Sequence, residues 1–458
     1  MKVFIRYVSY SSVLNVIPGP VQMKILFLTA HLPFPPSSGG RRREFELVSR
    51  LGQKFEIHLC SLTISQRNDD VNTKHLYHYC KSVSLCKVAN PPPLFRCNMT
   101  HPWLMKRYYS EEAINRISHL LNHQSFDIVH VEGYYLMQLL PRKLDVPVLL
   151  VEHNMEYMLN SQRYQLSRSP HDRFFYWQEY HYTFLWEHSF WKQATKVVTL
   201  TTEDEISIRR LDPNIDIRTI PNGIDHSLTI EQSAPLRDTS NAYGSVRNFN
   251  PIDHNRHSIL FVCNFAYDPN IDAALYFVKQ IFPLVLKDVP DAKLFLVGNC
   301  PPAEIRALGC LNNSDMNSDM SLEVTGYVES LYPFYRAAKV VVCPLRIGGG
   351  VKVKVLEALK AGKAIVCTSI GAQGLGVINN GALCVCDNAS DFAKNVVRFL
   401  VRPRERHLQE ENALRFAETL PTWNQVKEEY VRCYNEMLFV TSNINRHQAV
   451  RRHKDFSI

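Results

Sequence analysis

Two runs of one pattern dominate this chain: short apolar segments of strand length alternate with helix-length segments, first over residues 24–220 and again over residues 258–438. Between them, residues 226–257 carry neither periodicity nor large apolar clusters and read as a linker. Alternating strands and helices are the mark of parallel α/β domains, because parallel strands need a crossover long enough to hold a helix. The expected fold class is therefore α/β, with two doubly wound Rossmann-like parallel-sheet domains. At 458 residues, 45% of them apolar, the chain has material for two separate cores.

In the first series the expected strands are residues 24–29, 56–61, 128–132, 148–152, 196–200 and 217–220, with a helix over 41–51. In the second they are 258–262, 293–297, 322–324, 339–343 and 364–367, followed by helices over 389–400 and around 423–438. The divisions that follow are an N-terminal extension over 1–22, a first domain over 23–225, the linker, a second domain over 258–420, a helix over 421–440 and a polar tail over 441–458. Residues 1–22 resemble a poor signal sequence, whereas Met23 opens a much better strand. Ligand sites in doubly wound domains lie at the carboxyl ends of the strands, so two such domains side by side imply a cleft that takes two substrates.

The net charge of +8 is modest for this length, and Lys and Arg are spread along the chain. That favours an anionic ligand or weak attraction to anionic lipid, and argues against a nucleic-acid binder. Of the twelve cysteines, Cys60, Cys263, Cys343 and Cys367 sit inside apolar strand-like runs, and no CxxC pair occurs. Reduced buried thiols of a cytoplasmic protein are the expectation, with no metal site. No apolar run reaches the ~18 residues of a membrane span.

The most chemically informative stretch is VVCPLRIGGGVKVKVLEALKAG, residues 341–362. An apolar strand enters a triple glycine and leaves as a helix that opens with Lys352 and Lys354. Glycines let backbone amides approach a ligand, and a helix start offers unpaired N–H groups and the positive end of the dipole. Glu357, one turn further, suits hydrogen bonds from the vicinal hydroxyls of a sugar. A nucleotide or nucleotide-sugar site is implied. In the first domain, Gly39-Gly40 precede Arg41-Arg42-Arg43 after the first strand, and Arg41, nearest the turn, is the expected anion contact. His153 follows the strand at 148–152 and faces the cleft, where histidine suits proton handling or a sugar hydroxyl. Glu152 is its rival, Glu132 and Gly133 are candidate acceptor contacts, and His130 reads as structural.

These segments, in this order, resemble a GT-B fold glycosyltransferase of glycosyltransferase family 4 (glycosyl transferases group 1). The resemblance covers nearly all of Met23 to Leu438, through KILFLTAHLPFPPSSGGRRREFELVSRL, FDIVHVEG, LLVEHNMEY, KVVTLTTEDE, IPNGID, ILFVCNFAYDPNIDAALYFVKQIFP, VTGYVE and the glycine-rich stretch. It implies a retaining transfer from a nucleotide diphosphate sugar to a glycan or lipid-linked acceptor, without a metal ion, and a C-terminal helix that crosses back to the first domain. It also implies that Gly39-Gly40 border the donor phosphates, that a histidine at His153 sits beside the reacting sugar, and that Glu357 holds ribose hydroxyls.

Two departures from the family pattern stand out. The loop after the second domain's first strand, Asn264 to Asn270, lacks the Arg and Lys that relatives place there, which leaves the diphosphate to Arg346, Lys352 or Lys354. Lys354 resembles the lysine before LEA in relatives with PLR-x-G-x-G. Gly349 stands where the first glutamate of E-x7-E belongs, so backbone amides of Gly348, Gly349, Gly350 and Val351 are expected to serve instead. Gly326-Tyr327-Val328 resembles the backbone that flanks the nucleobase. The expected catalytic set is His153, Lys354 and Glu357. The aromatic stretch Arg173–Gln193 reads as a helix packed on the first sheet, with peripheral contact at the inner face of the plasma membrane left open by the family. A GT-B sugar-nucleotide epimerase and a catalytically silent scaffold remain as alternatives.

Overall fold

The computed structural model describes residues 22–64, 66–89, 101–224, 257–310, 321–328, 330–376 and 381–455. The expected linker and N-terminal extension therefore lie almost wholly outside the described residues. Within them, the first sheet contains β1 (Lys24–Thr29), β2 (Glu56–Thr63), β3 (Ser82–Lys87), β4 (Ile128–Glu132), β5 (Val148–Glu152), β6 (Lys196–Thr199) and β7 (Ile217–Thr219). All pairs are parallel and the order is β3-β2-β1-β4-β5-β6-β7. The second sheet contains β8 (Ser258–Val262), β9 (Lys293–Val297), β10 (Leu322–Gly326), β11 (Val340–Cys343), β12 (Ala364–Cys367) and β13 (Cys384–Val385), again parallel, in the order β10-β9-β8-β11-β12-β13. In each sheet the order reverses beside its first strand, at β1/β4 and at β8/β11. Such reversals open a crevice at the strands' carboxyl ends, and both crevices contribute to the cleft.

Six helices and one long crossing helix matter for the site: α1 (Gly39–Leu51), α2 (Glu156–Leu166), α3 (Pro170–Gln193), α4 (Asp268–Tyr276), α5 (Tyr332–Ala337), α6 (Val353–Lys360) and α7 (Trp423–Asp455). Ser38 caps α1, its hydroxyl accepting from the Arg41 amide, so the helix begins at Gly39 rather than at Arg41. The two strands that the sequence does not announce, β3 and β13, are both sheet edges. β3 is half-buried along most of its length and therefore lacks a strong apolar signal.

The second domain has one core around both faces of its sheet, running from Ile259 to Ala417 and joined by Ile224. The first domain has two, and the cluster on one face is completed by α7: Trp423, Val426, Tyr430, Val431, Tyr434 and Met437 pack with Ile25, Phe27, Leu47 and Leu149. The C-terminal helix thus crosses back, as the resemblance implied, and it runs on to Asp455 through the residues expected to form a polar tail. The two crossings lie side by side. The Ile224 amide donates to the Pro421 carbonyl at 2.8 Å, and a Cβ on Gly223 would stand 2.6 Å from the Trp423 nitrogen. On the opposite face, Phe190 and Trp191 of α3 enter the core, whereas Phe174 and Trp177 at its other end are 58% and 48% exposed. The cysteines whose side chains are described are all free thiols. No helix among the described residues is long and apolar enough to cross a membrane.

Candidate functional site

The glycine-rich turn behaves as its sequence suggests. β11 leads into Gly348-Gly349-Gly350, with Gly350 at φ +60°, and α6 starts with no side-chain cap on its amides. Lys352 folds back, its Nζ donating to the carbonyls of Gly349 at 2.8 Å and Gly350 at 2.7 Å. Burial holds its pKa down to about 8. Lys352 is thus a fastener inside the turn. Lys354 points outward from it: Nζ donates to Asn270 Oδ1 at 2.6 Å and lies 4.8 Å from the Phe261 ring centroid. Asn270 in turn donates to the Asn264 carbonyl at 2.7 Å, and the Asn264 side chain accepts from the Ala266 amide. Lys354 therefore brings an ammonium to the loop after β8, which carries no cation of its own.

Arg346 goes elsewhere. Its Nε donates to Asp272 Oδ2 at 3.0 Å and its guanidinium lies 4.5 Å from the Tyr276 ring centroid, both on α4. An arginine held in this way is a brace for α4, which corrects the expectation of a free phosphate ligand. Gly326 has φ +75° at the end of β10, Tyr327 beside it is partly exposed, and Val328 and Val351 pack on the second core.

Glu357 faces the first domain. Oε1 accepts from Arg42 Nη1 at 3.1 Å and Oε2 from the Tyr335 hydroxyl of α5 at 3.4 Å. Burial pushes its carboxyl up, against the opposing pull of Arg42. The cavity around it is lined by Gly39, Arg42, Tyr335, Val353, Leu356 and Trp423, so it lies between the domains.

The three arginines of α1 have three destinations, since successive residues on a helix point about 100° apart. Arg42, rather than Arg41, crosses the cleft to Glu357. Arg43 is buried and donates to the carbonyls of Ile220 and Pro221, to Asn222 Oδ1 and to the Tyr430 hydroxyl, at 2.7–3.1 Å. Arg41 is felt as a charge by His31 and Glu44 of the first domain.

In the first domain, His153 Nε2 stands 2.7 Å from Glu132 Oε2. The other oxygen of Glu132 is 2.7 Å from His130 Nε2, and His130 Nδ1 is 2.6 Å from the Tyr434 hydroxyl of α7. A neutral His130 protonated on Nε2 donates to Glu132 and accepts from Tyr434. Burial alone would raise the Glu132 carboxyl, but its contacts with the two histidines override this and hold it well below the usual range. Burial lowers His130. Gly133 turns the chain at φ +105°, where a Cβ would strike the Tyr135 ring.

Glu152 does not face the cleft. It is 1% exposed, accepts from Trp191 Nε1 of α3 at 2.8 Å, and burial pushes it up to about 8. Its neighbour His153 takes the opposite direction because side chains alternate along a strand. Glu152 is therefore corrected from a candidate acceptor contact to a carboxyl beneath α3.

The two halves meet at glycines. The Gly348 amide donates to Gln162 Oε1 of α2 at 2.9 Å. A Cβ on Gly349 would lie 2.9 Å from the Asn154 Cβ, one on Gly350 2.4 Å from the His153 carbonyl oxygen, and one on Gly39 3.1 Å from a Val353 methyl. Gly40 has open space around it. Arg42, Asn154, Gln162, Asn270 and Tyr335 were not singled out from sequence, because nothing local distinguishes a polar residue that reaches across a domain boundary.

Comparison with known proteins is consistent across both domains. A family model described as Glycosyltransferase Family 4 matches residues 37–228, and one described as Glycosyl transferases group 1 matches residues 256–402. An uncharacterized 44.6 kDa protein in the cps region of Klebsiella pneumoniae is 21% identical over 381 residues, covering 82% of this chain and 90% of its own. Among solved structures, sucrose-phosphate synthase from Thermosynechococcus elongatus superposes with a TM-score of 0.66 at 16% identity, over 91% of this chain and 100% of that one. HepE of Anabaena in complex with UDP-glucose gives 0.59 at 12% identity, over 90% and 100%.

Proposed function

This chain belongs to glycosyltransferase family 4, with two Rossmann-like domains in the GT-B arrangement, and from that premise we propose that it transfers a sugar, with retention, from a nucleotide diphosphate sugar to a glycan or lipid-linked acceptor. The observation that carries this reading is the convergence on one interdomain cleft of Glu357, Lys354 and the glycine turn from the second domain with His153 from the first. Glu357 accepts hydrogen bonds from the ribose hydroxyls. The amides of Gly349, Gly350 and the α6 start hold the diphosphate, with Lys354 stabilising the charge that grows as the nucleotide leaves. The glycosidic bond to the nucleotide breaks as the acceptor oxygen bonds to the same face of the sugar. The acceptor's proton goes to the departing diphosphate. His153 stands beside the transferring sugar. A metal ion has no part in this step, since a cation and a helix start already face the leaving group.

HepE was solved with UDP-glucose, which supports a nucleotide sugar as donor here. The Klebsiella relative lies in a cps region, which supports a role in cell-surface polysaccharide assembly. The exposed Phe174 and Trp177 of α3 support peripheral contact with the inner face of the plasma membrane.

The test is a panel of nucleotide sugars titrated against wild-type protein and Glu357→Ala, with nucleoside diphosphate release followed with and without a lipid-linked acceptor. Loss of the bonds to a charged carboxylate is expected to weaken donor binding roughly 10- to 100-fold. Unchanged affinity and transfer would overturn the assignment. The Glu132–His153 pair also favours a second reading, a sugar-nucleotide epimerase, for which product would form with no acceptor present.

A further inference from the structure

Glu357, the carboxylate assigned to the ribose hydroxyls, is held from both domains at once. From the second, the Tyr335 hydroxyl of α5 donates to Oε2 at 3.4 Å, a long and weak bond. From the first, Arg42 Nη1 of α1 donates to Oε1 at 3.1 Å. Among the described residues this is the one ion pair of the Arg42 guanidinium, whereas its neighbour Arg43 is spent on four partners within the first domain and α7. Arg42 and Glu357 keep 26% and 27% of their side chains exposed, so the pair is sheltered yet open to a ligand.

The cavity around the pair has apolar walls in Val353, Leu356 and Trp423. In such surroundings a carboxyl tends to take up a proton, and burial pushes the Glu357 carboxyl up. Arg42 is the largest influence in the other direction, ahead of Tyr335 on α5 and of Lys354 and Lys360 on the same helix as Glu357. A carboxylate offers about four lone-pair sites, and Arg42 and Tyr335 take one each. Acceptor sites for two vicinal hydroxyls therefore remain with both partners in place.

We propose that Arg42 is a positioning residue of the nucleotide site: reaching over from the first domain, it holds the Glu357 carboxylate aimed at the ribose hydroxyls, so that a nucleoside diphosphate binds well only with the two domains together. This role rests on the reading of Glu357 as the ribose carboxylate. A protonated Glu357 would turn one oxygen into a donor, and the guanidinium keeps both as acceptors. Because that charge comes from the first domain, opening of the cleft weakens the nucleotide site of the second. By reciprocity, a bound nucleoside diphosphate favours the closed arrangement.

The test is calorimetric titration of the full-length protein with UDP, GDP, ADP and CDP, the tightest being carried through a series from acid to mildly alkaline pH. A charged Glu357 binds the ribose and a neutral one does not, so affinity falls as pH drops through the Glu357 pKa. Removing the opposing charge lets that pKa rise. Arg42→Met is therefore expected to move the fall to higher pH by about 1–3 units, the usual effect of an opposite charge at this range, and to approach wild-type affinity on the alkaline side. Arg42→Lys, which keeps the charge, is expected to return the fall toward its wild-type position. Titration of the nucleotide's own phosphate is common to every protein compared. A purely structural arginine would lower affinity equally at every pH, and a plug that the donor displaces would make Arg42→Met bind more tightly. Either result, or an unshifted fall, overturns the role. Undiminished affinity in Glu357→Ala, or no binding of any of the four nucleotides, removes the ribose reading and the role of Arg42 with it, whereas a weakened Glu357→Ala beside an unshifted Arg42→Met strikes Arg42 alone. Circular dichroism checks each fold, and Arg42→Gln carries the test if Arg42→Met does not fold.

Discussion

Lys352 and Lys354 are two residues apart on one turn and have opposite fates. Lys352 is buried with its ammonium on the Gly349 and Gly350 carbonyls, and Lys354 meets Asn270 at the edge of the cleft. In the sequence only the resemblance to PLR-x-G-x-G relatives separates them, since both are simply lysines at a helix start. If Lys354 stabilises the leaving diphosphate, Lys354→Met should lower kcat/KM by about 10²- to 10³-fold, the usual loss when one preorganised charge is removed. Steady-state kinetics with the best donor of the panel measures it, and a loss under twofold counts against the role. Glu152 and Arg346 show where local pattern misleads. The strand position of Glu152 was right, but the side of the sheet it faces is set by α3, whose Trp191 meets it. Arg346 sits in the expected turn, and the partner that captures it, Asp272, lies 74 positions away.

At the scale of elements, the glycine turn is shaped by what lies opposite it. Gly349 replaces a family carboxylate, and its Cα faces Asn154 so closely that no side chain fits with the halves in this arrangement. Gly350 adds a left-handed backbone and an even closer His153 carbonyl. Gly349→Ala is therefore expected to keep the second domain intact while forcing the halves apart: kcat falls at least about tenfold with little change in melting temperature. Gly350→Ala should lose activity and also about 1–2 kcal/mol of stability from its positive φ. Kinetics and denaturant unfolding of the pair distinguish the two, and equal melting losses would contradict the assignment of strain to Gly350. The glycines themselves were legible from sequence as a phosphate turn. Their second purpose, letting two domains touch, was not, because it depends on α2 and the loop after β5.

For the whole molecule, α7 is what makes two domains one body. It begins beside Gly223 at the second crossing and covers one face of the first sheet, where Tyr430 and Tyr434 bond Arg43 and His130. Trp423 is buried at this junction and also lines the cavity around Glu357. Trp423→Ala should cost about 3–5 kcal/mol in urea unfolding and weaken donor binding together, as a large aromatic removed from a packed site does. A stability loss below about 1 kcal/mol would show that the crossing is not held there.

What the sequence determined by itself follows from local physics. Short apolar runs, glycine turns and helix starts depend on neighbours a few residues away, so the residues alone specify two parallel α/β domains, eleven of the strands in close outline and the glycine-rich turn with Glu357. Only the tertiary structure decided the partners: Arg42 rather than Arg41 at Glu357, Lys354 at the Asn264–Asn270 loop, Glu152 beneath α3, and Glu132 paired with His153. The reason is geometric. A side chain's direction and its partner across a cleft are set by how whole elements dock, over sequence separations of up to 315 residues for Arg42 and Glu357, and no local pattern encodes them.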